Sequence, residues 1–230
     1  MNIGVLLSGN GVFDGAELQE TVFVLAAIDR HGATATCMAP NIDQHHVINH
    51  LTGKEMPEQR NVLVEAARVA RGAIRDVDTV GADELDAIVL PGGFGAAKNL
   101  TTWAFDGPSG TVHDGTAKLL RNMHAAGKPI VGLCMAPVVI AKSFQDYNVQ
   151  ATLTVGSTHE ASPYDIAGIN NGVEATGAIP KAATLREIVI DNPNRIITAP
   201  CYMMEGSISQ VQSNVDQAID ALFIMLRSRQ

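Results

Sequence analysis

Aromatic side chains are scarce in this 230-residue chain, at 4%, so a stacking platform for single-stranded nucleic acid is not expected. Basic residues are few as well. Sixteen Lys and Arg against twenty-four Asp and Glu leave a formal charge of −8, and no cluster of cations gathers a field that a phosphate backbone could use. Long apolar runs are missing. The longest, 130–141, is interrupted by Gly132 and Pro137 and is too short for the roughly 18 residues of a membrane span. The opening residues have no basic stretch and run quickly into Asp14, Glu17 and Glu20, unlike a secretory signal. Three scattered cysteines, Cys37, Cys134 and Cys201, form neither a disulfide framework nor a Cys-x-x-Cys pair. A reducing cytoplasm is therefore the expected location, with no membrane and no nucleic acid as partner.

What the chain does have is aliphatic bulk, with 46% hydrophobic residues and only 17% charged. One large domain over 1–230 is the simplest organisation. Residues 2–8 read as a buried strand, and an Asp14-x-x-Glu17 capping box predicts a helix over 16–31, followed by a strand over 33–39. Residues 41–60 are polar and irregular, with a short helix predicted at 45–51, and a helix follows over 61–71. The segment 41–72 reads as an insertion. Strands are predicted at 86–90, 129–133 and 151–155, helices at 111–126, 136–144 and 207–229, and mostly loops over 156–177. Asn192-Pro193-Asn194 between 187–191 and 195–199 signals a hairpin. The alternation predicts an α/β, flavodoxin-like sandwich around a mostly parallel sheet.

In such folds ligands bind beyond the carboxyl ends of the strands. Cys134 stands there, on a strand-to-helix turn that reads as a nucleophile elbow, where a helix N-terminus would favour the thiolate. The alternative is an inert, packed cysteine. Pro91-Gly92-Gly93-Phe94-Gly95 follows another strand; its glycines are either an oxyanion hole or a tight turn. Glu20 is a carboxylate on an otherwise apolar helix stripe, either a desolvated acid/base or a first-turn acid favoured by the helix dipole. His159 and Glu160 could reach Cys134 from a loop or be solvent residues. His46 and His50, four apart, have no third ligand at short spacing, so no metal and no cofactor are expected.

Glu20-Thr21-Val22, Pro91-Gly92-Gly93 and Gly132-Leu133-Cys134 together resemble the PfpI-like, class I glutamine amidotransferase-like superfamily. More narrowly, residues 8–15, 49–72, 91–100 and 127–137 resemble the ElbB-type isoprenoid-biosynthesis proteins described as glyoxalases. The resemblance implies a cofactor-independent glyoxalase acting on a small aldehyde. In it Cys134 is the nucleophile, Glu20 the acid/base, and the N–H groups of Gly93 and Met135 the oxyanion hole. A homodimer is implied too. Met135 replaces the histidine that hydrolase relatives place after the nucleophile, which disfavours protease activity. The competing expectation is a redox-responsive or regulatory binding protein of the isoprenoid pathway with Cys134 as sensor.

Overall fold

The computed structural model describes residues 1–228. From the N-terminus, β1 (Asn2–Leu6), α1 (Leu18–Arg30) and β2 (Thr34–Ala39) form the first βαβ unit. A two-stranded hairpin, β3 (Ile48–Asn49) with β4 (Lys54–Glu55), precedes α2 (Val62–Val69) and β5 (Ile74–Asp76). Next come β6 (Ala87–Leu90), α3 (Phe94–Lys98), α4 (Trp103–Asp106), α5 (Asp114–Ala125), β7 (Ile130–Leu133) and α6 (Pro137–Phe144). The chain closes with β8 (Thr152–Leu153), α7 (Ile166–Ala175), β9 (Ile179–Pro180), β10 (Val189–Asp191), β11 (Ile196–Ala199) and α8 (Ile208–Arg227).

Seven strands make the main sheet in the order β10-β11-β7-β6-β1-β2-β5, all parallel except β10. The expected α/β sandwich is therefore the fold. The residues of β6, β7 and β11 are all buried, as continuous apolar strands covered on two faces must be. From β1 the chain moves one way along the sheet to β2 and β5, and from β6 the other way to β7 and β11. Right-handed crossovers then put α1 and α2 on one face and α5 and α6 on the other. The closing helix α8 packs on α1, its Val211, Val215, Ala218, Ile219 and Leu222 buried at helical spacing. The reversal of direction lies between β1 and β6, and it opens a crevice at their carboxyl ends. No helix among the described residues is long and apolar enough to cross a membrane.

Local expectations differ from the structure in instructive ways. Asp14 does not cap α1: the helix starts at Leu18, and the Glu17 carboxylate accepts from the Glu20 N–H at 2.6 Å. Asp14 instead accepts from the Ile48 N–H at 2.6 Å, fastening the loop after β1 to the β3–β4 hairpin. The stretch 45–51 is not helical. Asn49 Oδ1 accepts from the N–H groups of Leu51 and Thr52, and Gly53 takes φ +68, a side-chain turn that competes with helix formation. Within 41–72, α2 is the crossover that leads into β5. The edge strand β5 has only three residues with Arg75 in the middle, too little pattern to see. The strand expected at 151–155 shrinks to β8, which pairs with β9 outside the main sheet. Residue 229, the expected end of the last helix, lies outside the described residues.

Candidate active site

Four strand ends converge at the crevice. β1 leads through a loop to Glu20 in the first turn of α1, and β6 leads to Gly92 and Gly93. β7 leads to Cys134, and β11 to Cys201, Tyr202 and Met203. Cys134 adopts φ +55, a left-handed conformation that costs a non-glycine residue on the order of 1–2 kcal/mol. This is the strained turn of an elbow. The surrounding bonds hold it there, including its own N–H donated to the Ala199 carbonyl at 2.9 Å.

Glu20 is fully buried and Cys134 is 5% exposed. The two side chains meet over Gly92, where a Cβ would stand 2.8 Å from the Cys134 sulfur and 2.9 Å from Oε2 of Glu20. One Glu20 oxygen, Oε2, accepts from the Gly92 N–H at 2.8 Å, and Oε1 accepts from the Tyr202 N–H at 3.2 Å. Burial above all, and then the nearby carboxylate of Glu17, push Glu20 up to about 8, so at neutral pH it mostly holds its proton. Those same backbone N–H groups pull the other way and keep the ionised form within reach.

The thiol of Cys134 is pushed up, not down. Burial is the main cause and the charge of Glu20 the second, and both outweigh the N–H groups of Gly93 and Met135 that point at the sulfur. The expected thiolate stabilisation fails because the elbow cysteine is enclosed. The first residue of α6 is Pro137, which also moves the helix end away from Met135.

Glycine is obligatory at two positions. A Cβ on Gly92 would stand 2.3 Å from the Cβ of Cys134 and 2.9 Å from Oε2 of Glu20. Gly93 takes φ +95, and a Cβ there would meet the Gly15 carbonyl oxygen at 2.4 Å. Glu17 N–H donates to the Gly92 carbonyl at 2.9 Å, which locks the glycine loop onto the start of α1.

Beside the sulfur lies a nook of about 10 Å³, room for one water-sized group, lined by Val12, Gly93, Phe94, Met135, Tyr164, Tyr202 and Met203. Val12, Tyr164 and Tyr202 also line a wider cleft of about 630 Å³ that holds Glu17 and Glu205. These three side chains form the wall between nook and cleft. The Tyr202 hydroxyl hydrogen-bonds Gln19, and burial pushes the Tyr164 phenol up to about 12. Tyr202 follows the end of β11, so the strand-end rule applied to Cys134 would have found it. Tyr164 sits in an irregular stretch with no comparable signal.

Cys134, Glu20, Gly92, Gly93 and Met135 are thus brought together. His159 and Glu160 are not. His159 is exposed, with its N–H on Ser157 Oγ at 3.1 Å, and Glu160 pairs with Arg186; neither lines the nook. Loop 156–163 carries them along the surface instead of inward. His46 and His50 flank β3 instead of sharing a helix, and among the described residues no group of three or more metal-binding side chains is found.

No family model matches the chain. A human protein, glutamine amidotransferase-like class 1 domain-containing protein 3, mitochondrial, is 38% identical over 215 residues, spanning 93% of this chain and 79% of its own length. Among solved structures, an isoprenoid biosynthesis protein with amidotransferase-like domain from Ehrlichia chaffeensis superposes with a TM-score of 0.89 at 30% identity, over 98% of this chain and 99% of that one. Drosophila melanogaster DJ-1beta shares the fold alone, with a TM-score of 0.52 at 17% identity over 99% and 94% of the two chains. The expectation of a cytoplasmic location is overturned, because the human relative and the related ES1 proteins of rat and Danio rerio are all named mitochondrial. Cysteine usage could not see this, since it separates oxidising from reducing surroundings and not one reducing compartment from another. Fold, strand-end site and these similarities agree: the chain belongs to the glutamine amidotransferase-like class 1 domain family.

Proposed function

We propose that the protein is a cofactor-independent glyoxalase that converts small 2-oxoaldehydes, glyoxal or methylglyoxal, to 2-hydroxy acids. The observation that carries this reading is the buried Glu20 carboxyl set against the Cys134 thiol over Gly92, with the cysteine on a strained turn beside the Gly93 and Met135 backbone. A carboxyl at about 8 can both take and return a proton near neutral pH.

The aldehyde carbon enters the nook, and the rest of the substrate extends between Tyr164 and Tyr202 toward the cleft. Ionised Glu20 takes the thiol proton as sulfur bonds to the aldehyde carbon. The carbonyl oxygen, receiving the electron pair, is held by the N–H groups of Gly93 and Met135 and then takes the proton back from Glu20. The product is a hemithioacetal. Glu20 next removes the hydrogen from the former aldehyde carbon as a proton, the hydroxyl proton passes to the neighbouring oxygen through the enediol, and Glu20 delivers its proton to the neighbouring carbon. That leaves a 2-hydroxyacyl thioester. Water cleaves the thioester, releasing the hydroxy acid and the Cys134 thiol, so the net change is aldehyde plus one water. His159 and Glu160 have no part in this sequence.

The test is consumption of methylglyoxal by the purified protein without added glutathione or metal, with chiral analysis of the lactate formed. Turnover that disappears in Cys134→Ala supports the reading. A wild-type protein that binds the aldehyde without releasing hydroxy acid would favour the regulatory alternative.

A further inference from the structure

Cys201 is fully buried at the same strand ends, yet the reaction above gives it nothing to do. β7 and β11 are parallel neighbours with Leu133 opposite Ala199, and the Cys134 N–H bonds the Ala199 carbonyl. That bond places Cys134 opposite Pro200, so Cys201 is one residue further along the adjoining chain. Neighbouring strands lie about 4.8 Å apart, and both cysteines stand within two residues of the paired strand ends, a separation of the order that a disulfide spans. The two thiols are close enough that the charge of Cys134 helps to push the Cys201 thiol up, after burial and the charge of Glu20.

The Cys201 turn is itself built with care. Its φ is +44, a second left-handed cysteine beside the elbow. Buried Asn214 holds it, accepting the Cys201 N–H at 3.0 Å while donating to the Glu187 carbonyl at 2.9 Å. Cys37 is no alternative neighbour, since it lies in β2, with β6 and β1 between it and β7.

We propose that Cys201 is a resolving thiol for Cys134, and that the pair closes a reversible disulfide when a peroxide reaches the nook. In the first step the Cys134 sulfur attacks one peroxide oxygen, the O–O bond breaks, and the leaving oxygen departs as water with the thiol proton. Cys134 becomes a sulfenic acid. In the second, the Cys201 sulfur attacks the sulfenyl sulfur, the S–O bond breaks, and the hydroxyl leaves as water with the Cys201 proton. Two thiols are oxidised and one peroxide is reduced to two waters. The disulfide halts turnover and shields Cys134 from irreversible oxidation. Because burial raises both thiols, closure is slow at neutral pH and faster in alkali.

The experiment treats the native full-length protein with a small excess of hydrogen peroxide, blocks free thiols after denaturation, and reads intact mass and cross-linked peptides. Its readout does not depend on any turnover, so it stands or falls separately from the glyoxalase reading. The wild type is expected to take up one blocking group where the untreated protein takes up three, to show a Cys134–Cys201 cross-link, and to take up all three again after dithiothreitol. Cys37→Ser should show the same cross-link, whereas Cys201→Ser should gain about 32 Da on the Cys134 peptide. A wild type that gains oxygen on Cys134 without a cross-link, or links Cys37, overturns the proposal. That result decides the matter even if Cys201→Ser fails to fold.

Discussion

Two cavities beside the sheet are opposite in kind. Between the turn after β5 and the first turns of α5, Val77, Asp78, Gly81, His113, Lys118 and their neighbours line an open pocket of about 610 Å³ rich in polar groups. At the carboxyl end, the space beside Cys134 is only about 10 Å³. The larger cavity has charge but no nucleophile and no desolvated acid/base, and its Asp78 carboxylate is already packed against the Cα of Gly115. The smaller one has a strained cysteine, a buried carboxyl and aimed N–H groups. Chemistry follows topology here, because parallel strands deliver the loops of β1, β6, β7 and β11 to one crevice, and volume says little about it.

The sharpest way to break this contrast is to remove the sulfur. Cys134→Ala is expected to lower methylglyoxal turnover at least about a thousandfold with the circular dichroism spectrum unchanged, while Cys37→Ala keeps most of it. Near-normal turnover in Cys134→Ala would end the covalent mechanism.

Glu20→Gln should cost about 10²–10⁴-fold in kcat, because an amide cannot carry the proton. It also turns an N–H toward a backbone donor, since both Glu20 oxygens accept, so some stability is lost too. The pH dependence of stability separates the two effects. Glu20 is raised in the fold, so its contribution is fully present below the unfolded value of 4.5 and is lost as pH rises through about 8. Thermal melts should therefore show a fall in Tm between pH 5 and pH 8 that is smaller in Glu20→Gln.

Gly92→Ala is expected to lower turnover about 10–100-fold and to destabilise by about 1–3 kcal/mol, because the added methyl overlaps Cys134 and Glu20. Unaltered denaturant melts and kinetics would contradict the close approach. More gently, kcat/KM in the wild type should rise about tenfold per pH unit below pH 8 and level off above it, since ionised Glu20 starts the reaction. A profile flat from pH 6 to 8 would remove Glu20 as the starting base. The smallest effect belongs to the pocket beside α5, where Lys118→Ala should leave turnover within about twofold. A large loss there would connect the two cavities and undo the contrast.

Much of the site was legible because its residues break local rules. Cys134 runs straight from a strand into a turn, Gly92 and Gly93 interrupt a buried strand, and Glu20 is charged on an apolar stripe. Asp14 shows the limit of such reading. Its spacing from Glu17 matches a capping box, but the better hydrogen bond lay across the fold at Ile48, more than thirty residues away in sequence. His159 and Glu160 were plausible for the same reason that they fall outside the site: residue type was visible and loop direction was not.

The sequence by itself determined the alternation of strand and helix, the buried aliphatic sheet and the identity of the elbow, because these depend on periodicity and on residues a few positions apart. Only the tertiary structure decided the protonation of the site, since the push on Cys134 and Glu20 comes from burial by four separate strand ends. It also decided that Tyr164 and Tyr202 wall the nook, and that Cys201 lies beside Cys134. Those two cysteines are sixty-seven positions apart along the chain. In space they stand on adjoining turns at the ends of paired strands, a closeness set by pairing between β7 and β11, which no local pattern specifies.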